Sequence, residues 1–281
     1  MAEHDVSPHD PYGPIGFLHP GMMGVSLAAT CSGDVLWASE GRSPETRQRA
    51  ASTHLRDVGS TAAMVDEAAT IISICPPSSA ESLAAEVASL GFTGCYVDAN
   101  AISPASSRSI GQRFDRYVDG SVIGPPAATA GSTRLYLCGS DAAGLASRWE
   151  GSALDVRVLD GLGSASALKM AYASWTKIGS AMLFAINALA DAEGVGDALR
   201  AEWDLSQPGL VRRSEVSAER VGPKAWRFEG EMHQIAAAFA DAGLPPEFAD
   251  AAADVYRRMA DLKGTDAPAL DEVLQRLTAQ L

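Results

Sequence analysis

Short β-type runs alternate with helical patterns from about residue 13 to about residue 158, and after Gly163 the pattern is helical almost to the end. The runs lie at 13–18, 34–38, 70–75, 95–98, 117–123 and 133–138. Such alternation predicts βαβ units and a mainly parallel sheet, so the fold class is α/β followed by an all-α C-terminal domain. The clearest helix between the runs spans 78–87, with Ser78 at the cap and Glu81 three residues on. Beyond Gly163, one segment from about 164 to 193 carries Leu168, Tyr172, Trp175, Ile178, Met182, Leu183, Ile186 and Leu189 at helical spacing. About 28 helical residues span roughly 42 Å, long enough to connect two lobes and a partner subunit. The expected division is a loose tail at 1–12, an α/β domain at 13–160 and a helical domain at 161–281.

The first run ends in Gly16-Phe17-Leu18-His19-Pro20-Gly21-Met22-Met23-Gly24, which reads as strand, tight turn and helix. A helix N-terminus attracts pyrophosphate; Gly21 lets the backbone approach phosphates and Gly24 lets the helix pack on the strand. His19 stands where a GxGxxG turn has its first glycine, and any glycine-rich strand-to-helix turn shares the remaining pattern. Read as a Rossmann-like cradle, the turn offers Gly16, His19, Pro20, Gly21, Met22 and Met23 to a dinucleotide. At the end of the second run, Ser39, Arg42 and Ser43 supply a guanidinium fork and two hydroxyls suited to a 2′-phosphate, which points to NADP. Glu40 between them keeps NAD open, since a carboxylate aimed at the ribose prefers a free hydroxyl. Cys75, Pro76 and Pro77, at the end of the 70–75 run, complete the expected cofactor contacts.

The net charge of −13, with no Lys/Arg cluster, argues against nucleic acid or an anionic membrane surface and leaves a small molecule as the partner. Cys31, Cys75, Cys95 and Cys138 stand singly without metal-ligand spacing, so buried reduced thiols and no metal are expected. The first residues lack a basic region followed by an apolar core, and no uninterrupted apolar stretch is long enough to span a membrane, so a cytoplasmic protein is expected.

Four separated motifs carry a resemblance. They are Gly16 to Gly24, Ile74-Cys75-Pro76-Pro77, Asp98-Ala99-Asn100-Ala101-Ile102-Ser103-Pro104 and Gly163-Ser164-Ala165-Ser166-Ala167-Leu168-Lys169. In this order they resemble the β-hydroxyacid dehydrogenase superfamily, relatives of 3-hydroxyisobutyrate and 6-phosphogluconate dehydrogenase. His19-Pro20-Gly21, Gly124-Pro125-Pro126, Leu168-Lys169-Met170-Ala171-Tyr172 and Gly230-Glu231-Met232 resemble one branch of it, known by a C-terminal domain of unknown function. The resemblance implies Lys169 as acid/base residue and Asn100 at the nicotinamide ribose or substrate. It puts Ser121, Ile123 and Gly124 in the substrate loop, and Glu231 and His233 on a helix approaching the active site. Tyr172 and Trp175 could line an apolar pocket or belong to the core or a dimer interface, and a homodimer packed through the helical domains is implied. A plain turn-forming Asn and a surface lysine are the other readings of Asn100 and Lys169, and ordinary solvated residues those of Ser121, Glu231 and His233.

Two departures limit the transfer. Ile123 stands where better-known members carry a substrate-binding Ser, and Ala173 where they carry Asn. Losing a hydroxyl and an amide removes two polar partners for substrate oxygens, so substrate identity is not carried over. The expected activity is NADP-dependent hydride transfer to or from a carbonyl or hydroxyl carbon. Imine reduction and a non-catalytic NADP(H) sensor are the alternatives.

Overall fold

The apolar runs are nearly continuous rather than alternating because their strands are buried on both faces of one sheet, as central parallel strands are. The computed structural model describes residues 10–278, so residues 1–9 of the expected tail lie outside the described residues. Eight strands run in the spatial order β3-β2-β1-β4-β5-β6-β7-β8. They are β1 Ile15–Phe17, β2 Val35–Trp37, β3 Arg56–Asp57, β4 Thr70–Ser73, β5 Cys95–Asp98, β6 Arg116–Ile123, β7 Arg134–Cys138 and β8 Asp155–Val158. Neighbours from β3 to β6 pair in parallel, β7 is antiparallel to β6, and β8 is parallel to β7. Neither β3 nor β8 was expected. Both lie at sheet edges, where exposed Arg56, Asp57 and Arg157 replace the apolar signal.

Two apolar layers cover the sheet, one around Ile15, Phe17, Val97 and Trp149, the other around Leu36, Ile71, Tyr96 and Tyr117. The helices of this part are α1 Met22–Thr30, α2 Pro44–Ala51, α3 Thr61–Glu67, α4 Ala80–Ser89, α5 Pro104–Gly111, α6 Ala142–Ala146 and α7 Ser164–Ala173. Ser43, Ser60 and Ser103 cap α2, α3 and α5 by accepting the backbone N–H of Thr46, Ala63 and Ser106 at 3.1–3.3 Å. The expected cap at Ser78 is replaced: Pro77–Ser79 form a 3₁₀ turn, α4 starts after it, and Glu81 pairs with Arg113. Asp10 and Tyr12 are held, the first by an ion pair with Arg148, the second beneath the Arg116 guanidinium at 5.7 Å.

The chain divides into two compact units, the first ending at Lys169 and the second beginning at Met170. The second holds α8 Gly179–Ala192, α9 Gly196–Ser206, α10 Leu210–Val221, α11 Phe228–Asp241, α12 Glu247–Arg258 and α13 Leu270–Thr278. The long predicted helix is present, but residues Ser174–Ile178 are π-helical between α7 and α8. A π segment loosens the regular ladder, and Tyr256 Oη answers it by donating to the Lys177 carbonyl at 2.7 Å. Among the described residues no helix is long and apolar enough to cross a membrane.

Candidate active site

In a sheet whose order reverses between β1 and β4, ligands bind in the crevice outside the carboxyl ends of those strands. The chain leaves β1 with the Leu18 N–H still bonded to Ile72 O at 3.1 Å, turns through His19-Pro20-Gly21, and enters α1. At Gly24 a Cβ would lie 2.4 Å from the His19 carbonyl oxygen, so only glycine lets the helix start this close to the strand. At Gly21 it would meet nothing within 4 Å, and no side chain caps α1. The first-turn N–H groups of Met22 and Met23 lie at the positive end of the helix dipole with no side chain capping them, an arrangement that favours an anion. Gly16 has a different reason: a side chain there would collide with Met64 Sδ at 2.5 Å, so it is a packing position inside β1.

Ser39, Arg42 and Ser43 come together in one turn after β2. Gly41 takes a left-handed φ of +68°, the Arg42 N–H returns to Ser39 O at 3.2 Å, and Glu40 is exposed. Ser43 is engaged as the α2 cap, and the Ser39 N–H is held by Asp57 Oδ1 at 3.2 Å, a contact the sequence did not suggest. Burial, and next the nearby Arg42 charge, push the His19 imidazole down to about 4, so it is neutral at pH 7. His19 Nδ1 and Arg42 Nε are buried without a hydrogen-bond partner. An anionic ligand beside Arg42 fits this donor set, because it supplies the acceptor that Nε lacks.

Asn100 braces the tips of β4 and β5. Its Oδ1 accepts from the Cys75 N–H at 2.6 Å, and its Nδ2 donates to Ser73 Oγ at 3.1 Å and Asp98 Oδ2 at 2.9 Å. The whole amide is used within the protein, so Asn100 sets the Cys75-Pro76-Pro77 tip instead of presenting a free donor. Asp98, to which the sequence motif assigned no role, is fully buried and its carboxyl is pushed up to about 7 by burial.

Lys169, on the second turn of α7, donates from Nζ to Val122 O at 2.8 Å, close to the end of β6. Asp119 lies three residues earlier on that strand. Its Oδ2 accepts the Ser166 N–H at 3.0 Å, while Oδ1 accepts Ser166 Oγ at 2.5 Å and Ser107 Oγ at 2.8 Å. Ser121 and Ile123 are buried, with Ser121 Oγ unpartnered, and Gly124 has a φ of +132° where a Cβ would meet Ser132 O at 2.4 Å.

A conserved protein reported to be structurally similar to 3-hydroxyacid dehydrogenases superposes with a TM-score of 0.66 at 24% identity, over 88% of this chain and 97% of that one. The fold is that of the 3-hydroxyacid dehydrogenases. The 3-hydroxyisobutyrate dehydrogenase of Mycobacterium tuberculosis, solved with L-serine, matches with a TM-score of 0.68 at 16% identity over 94% of this chain and 98% of its own. An imine reductase from Myxococcus stipitatus in complex with NADP+ matches with 0.53 at 18% identity over 94% and 99%. A family profile described as a domain of unknown function, DUF1932, matches residues 190–259. No protein of curated function matches the sequence.

The remaining residues singled out from sequence lie in the second unit. Tyr172 and His233 are exposed. Trp175, also exposed, lies against the Arg213 guanidinium at 4.8 Å. Glu231 forms an ion pair with Lys177, both largely shielded from solvent, and the Lys177 ammonium lies 4.9 Å from the centre of the Phe228 ring. Lys177 and Tyr256 carried no sequence signal, because their partners are distant in the chain. All four cysteines are free thiols; Cys31, Cys95 and Cys138 are buried, whereas Cys75, expected to be buried too, is only half-buried at the β4 tip.

Proposed function

We propose that this chain is an NADP(H)-dependent oxidoreductase that moves a hydride between the nicotinamide and a carbonyl or hydroxyl carbon of a small organic substrate, with Lys169 as general acid/base. The observation that carries the reading is an open, uncapped α1 N-terminus together with the unpartnered Nε of Arg42, in the same unit as Lys169. The pyrophosphate would rest on the first turn of α1, and Arg42 would hold the 2′-phosphate with Ser39 and Ser43 at its side. When bound, the cofactor supplies or accepts the hydride. Lys169 gives a proton to the substrate oxygen as a carbonyl is reduced, and takes one from the hydroxyl in the other direction. Asn100 holds the β4 tip in place. Ile123, lacking a polar side chain, disfavours the small carboxylates that better-known members bind.

Reduction of an imine carbon is the second reading, favoured by the shared fold of an NADP+-bound imine reductase. We further propose that the chain forms a homodimer through its second unit. An apolar groove of about 380 Å³ runs between α8 and α12, lined by Ile178, Ala181, Met182, Phe248, Ala252 and Val255. Met182 and Phe248 are each about half exposed.

The test is NADPH consumption screened against aldehydes, ketones, keto acids and cyclic imines, with the wild type and Lys169→Ala. Turnover that nearly vanishes in Lys169→Ala at almost unchanged NADPH affinity is the expected result. Retained activity in the variant refutes the role of Lys169. Tight NADPH binding with no turnover in any class points to the sensor.

A further inference from the structure

We propose that Asp119 is the positioning residue of Lys169, a conclusion that rests on the acid/base reading of that lysine. Asp119 is fully buried, and four donors converge on its carboxyl from three elements, with the Asp98 carboxyl opposite it on β5: Ser107 Oγ on α5, Cys138 Sγ on β7, and both the N–H and the hydroxyl of Ser166 on α7. Ser166 is the third residue of α7, so its N–H is one of the groups that a helix start leaves without an internal acceptor. A carboxylate there both satisfies that N–H and interacts favourably with the helix dipole.

Lys169 follows Ser166 by three residues and therefore shares its helix face. Its ammonium bonds Val122 O, and Val122 follows Asp119 by three residues on β6. One turn of α7 is thus tied at both ends to one short stretch of β6, through Asp119 to Ser166 and through Val122 to Lys169. The stretch is itself rigid, because β7 pairs with it from Asp119↔Cys138 to Val122↔Leu135. Removing the Asp119 contact frees the start of α7 to rotate and takes a negative charge from the end of the helix that bears Lys169. Asp119 touches no reacting atom; it acts through the place it gives the lysine.

The chain has four lysines, Lys169, Lys177, Lys224 and Lys263, so acylation by an amine-reactive reagent followed by mass spectrometry reads Lys169 against internal controls. The full-length enzyme is compared with Asp119→Asn, Ser166→Ala and Ser166→Thr for kcat, substrate KM, NADPH affinity and the acylation rate of each lysine. The expected result for Asp119→Asn is a loss of kcat on the order of tenfold or more at near-constant NADPH affinity, with the acylation rate of Lys169 changed and those of Lys224 and Lys263 unchanged. Ser166→Ala shows a smaller change in the same two readouts, and Ser166→Thr restores most of it. If Asp119→Asn does not fold, the Ser166 pair alone decides. Wild-type kcat and Lys169 acylation in both Asp119→Asn and Ser166→Ala overturn the proposal, as does an equal change at all four lysines. Full turnover in Lys169→Ala defeats the acid/base reading instead, and the acylation pattern still shows whether Asp119 sets the place of the lysine.

Discussion

Asp98 and Asp119 stand opposite one another in register on β5 and β6, both fully buried. Two buried carboxyl groups on adjacent strands repel when both are charged, and the pair is stable because donors converge on Asp119 while Asp98 has its ordinary acidity suppressed.

Asp98 gives a pH signature. Burial raises its carboxyl from its ordinary value of 3.8 to about 7, so the folded protein holds a proton that the unfolded chain releases. Its contribution to stability is full below about pH 4 and is lost as pH rises towards 7, with a slope of up to about 1.4 kcal/mol per pH unit. Unfolding free energies of wild type and Asp98→Asn from urea titrations, compared from pH 4 to 7, should diverge by this slope; parallel curves would contradict it.

Gly21 and Gly24 should separate folding from binding. Gly24→Ala sets a Cβ against the backbone oxygen of His19 and is expected to cost on the order of 1–3 kcal/mol in thermal stability. Gly21→Ala meets no atom and keeps an ordinary φ of −63°, so it should fold as the wild type does. Its methyl group projects into the space before α1, and NADPH titration by fluorescence should show binding weakened far more than stability.

Arg42→Ala should discriminate between the two nicotinamide cofactors. Losing a charged hydrogen bond costs about 1.5–3 kcal/mol, so NADPH affinity should fall roughly ten- to a hundredfold while NADH affinity barely moves. Equal losses for both cofactors would place the 2′-phosphate elsewhere.

Met182 and Phe248 test assembly. Glutamate at either position puts a charge in the apolar groove between α8 and α12, and light scattering should then report a monomer where the wild type is a dimer. A monomeric wild type would end the dimer reading.

Much of the first unit was legible because its signals are local. The Gly16–Gly24 passage and the turn after β2 are each spelled out within a few consecutive residues, so strand, turn and helix could be read directly. The contacts that give those residues their roles are not local. Asn100, read from sequence as a ribose or substrate contact or as a turn former, shows its bracing role only once Ser73 and Cys75 are seen beside it. Asp119 shows nothing of its link to Ser166, 47 positions away. The π segment changes no residue type, and the edge strands β3 and β8 are too polar to show a strand pattern.

β6 changes partner part-way, pairing with β5 up to Asp119 and with β7 from Asp119 to Ile123. From Asp119 to Ile123 the segment is a rung-by-rung ladder, not a loop free to lengthen. Inserting one residue would turn every following side chain to the opposite face. This wall can therefore change only by exchanging one side chain for another, while its backbone keeps the same length.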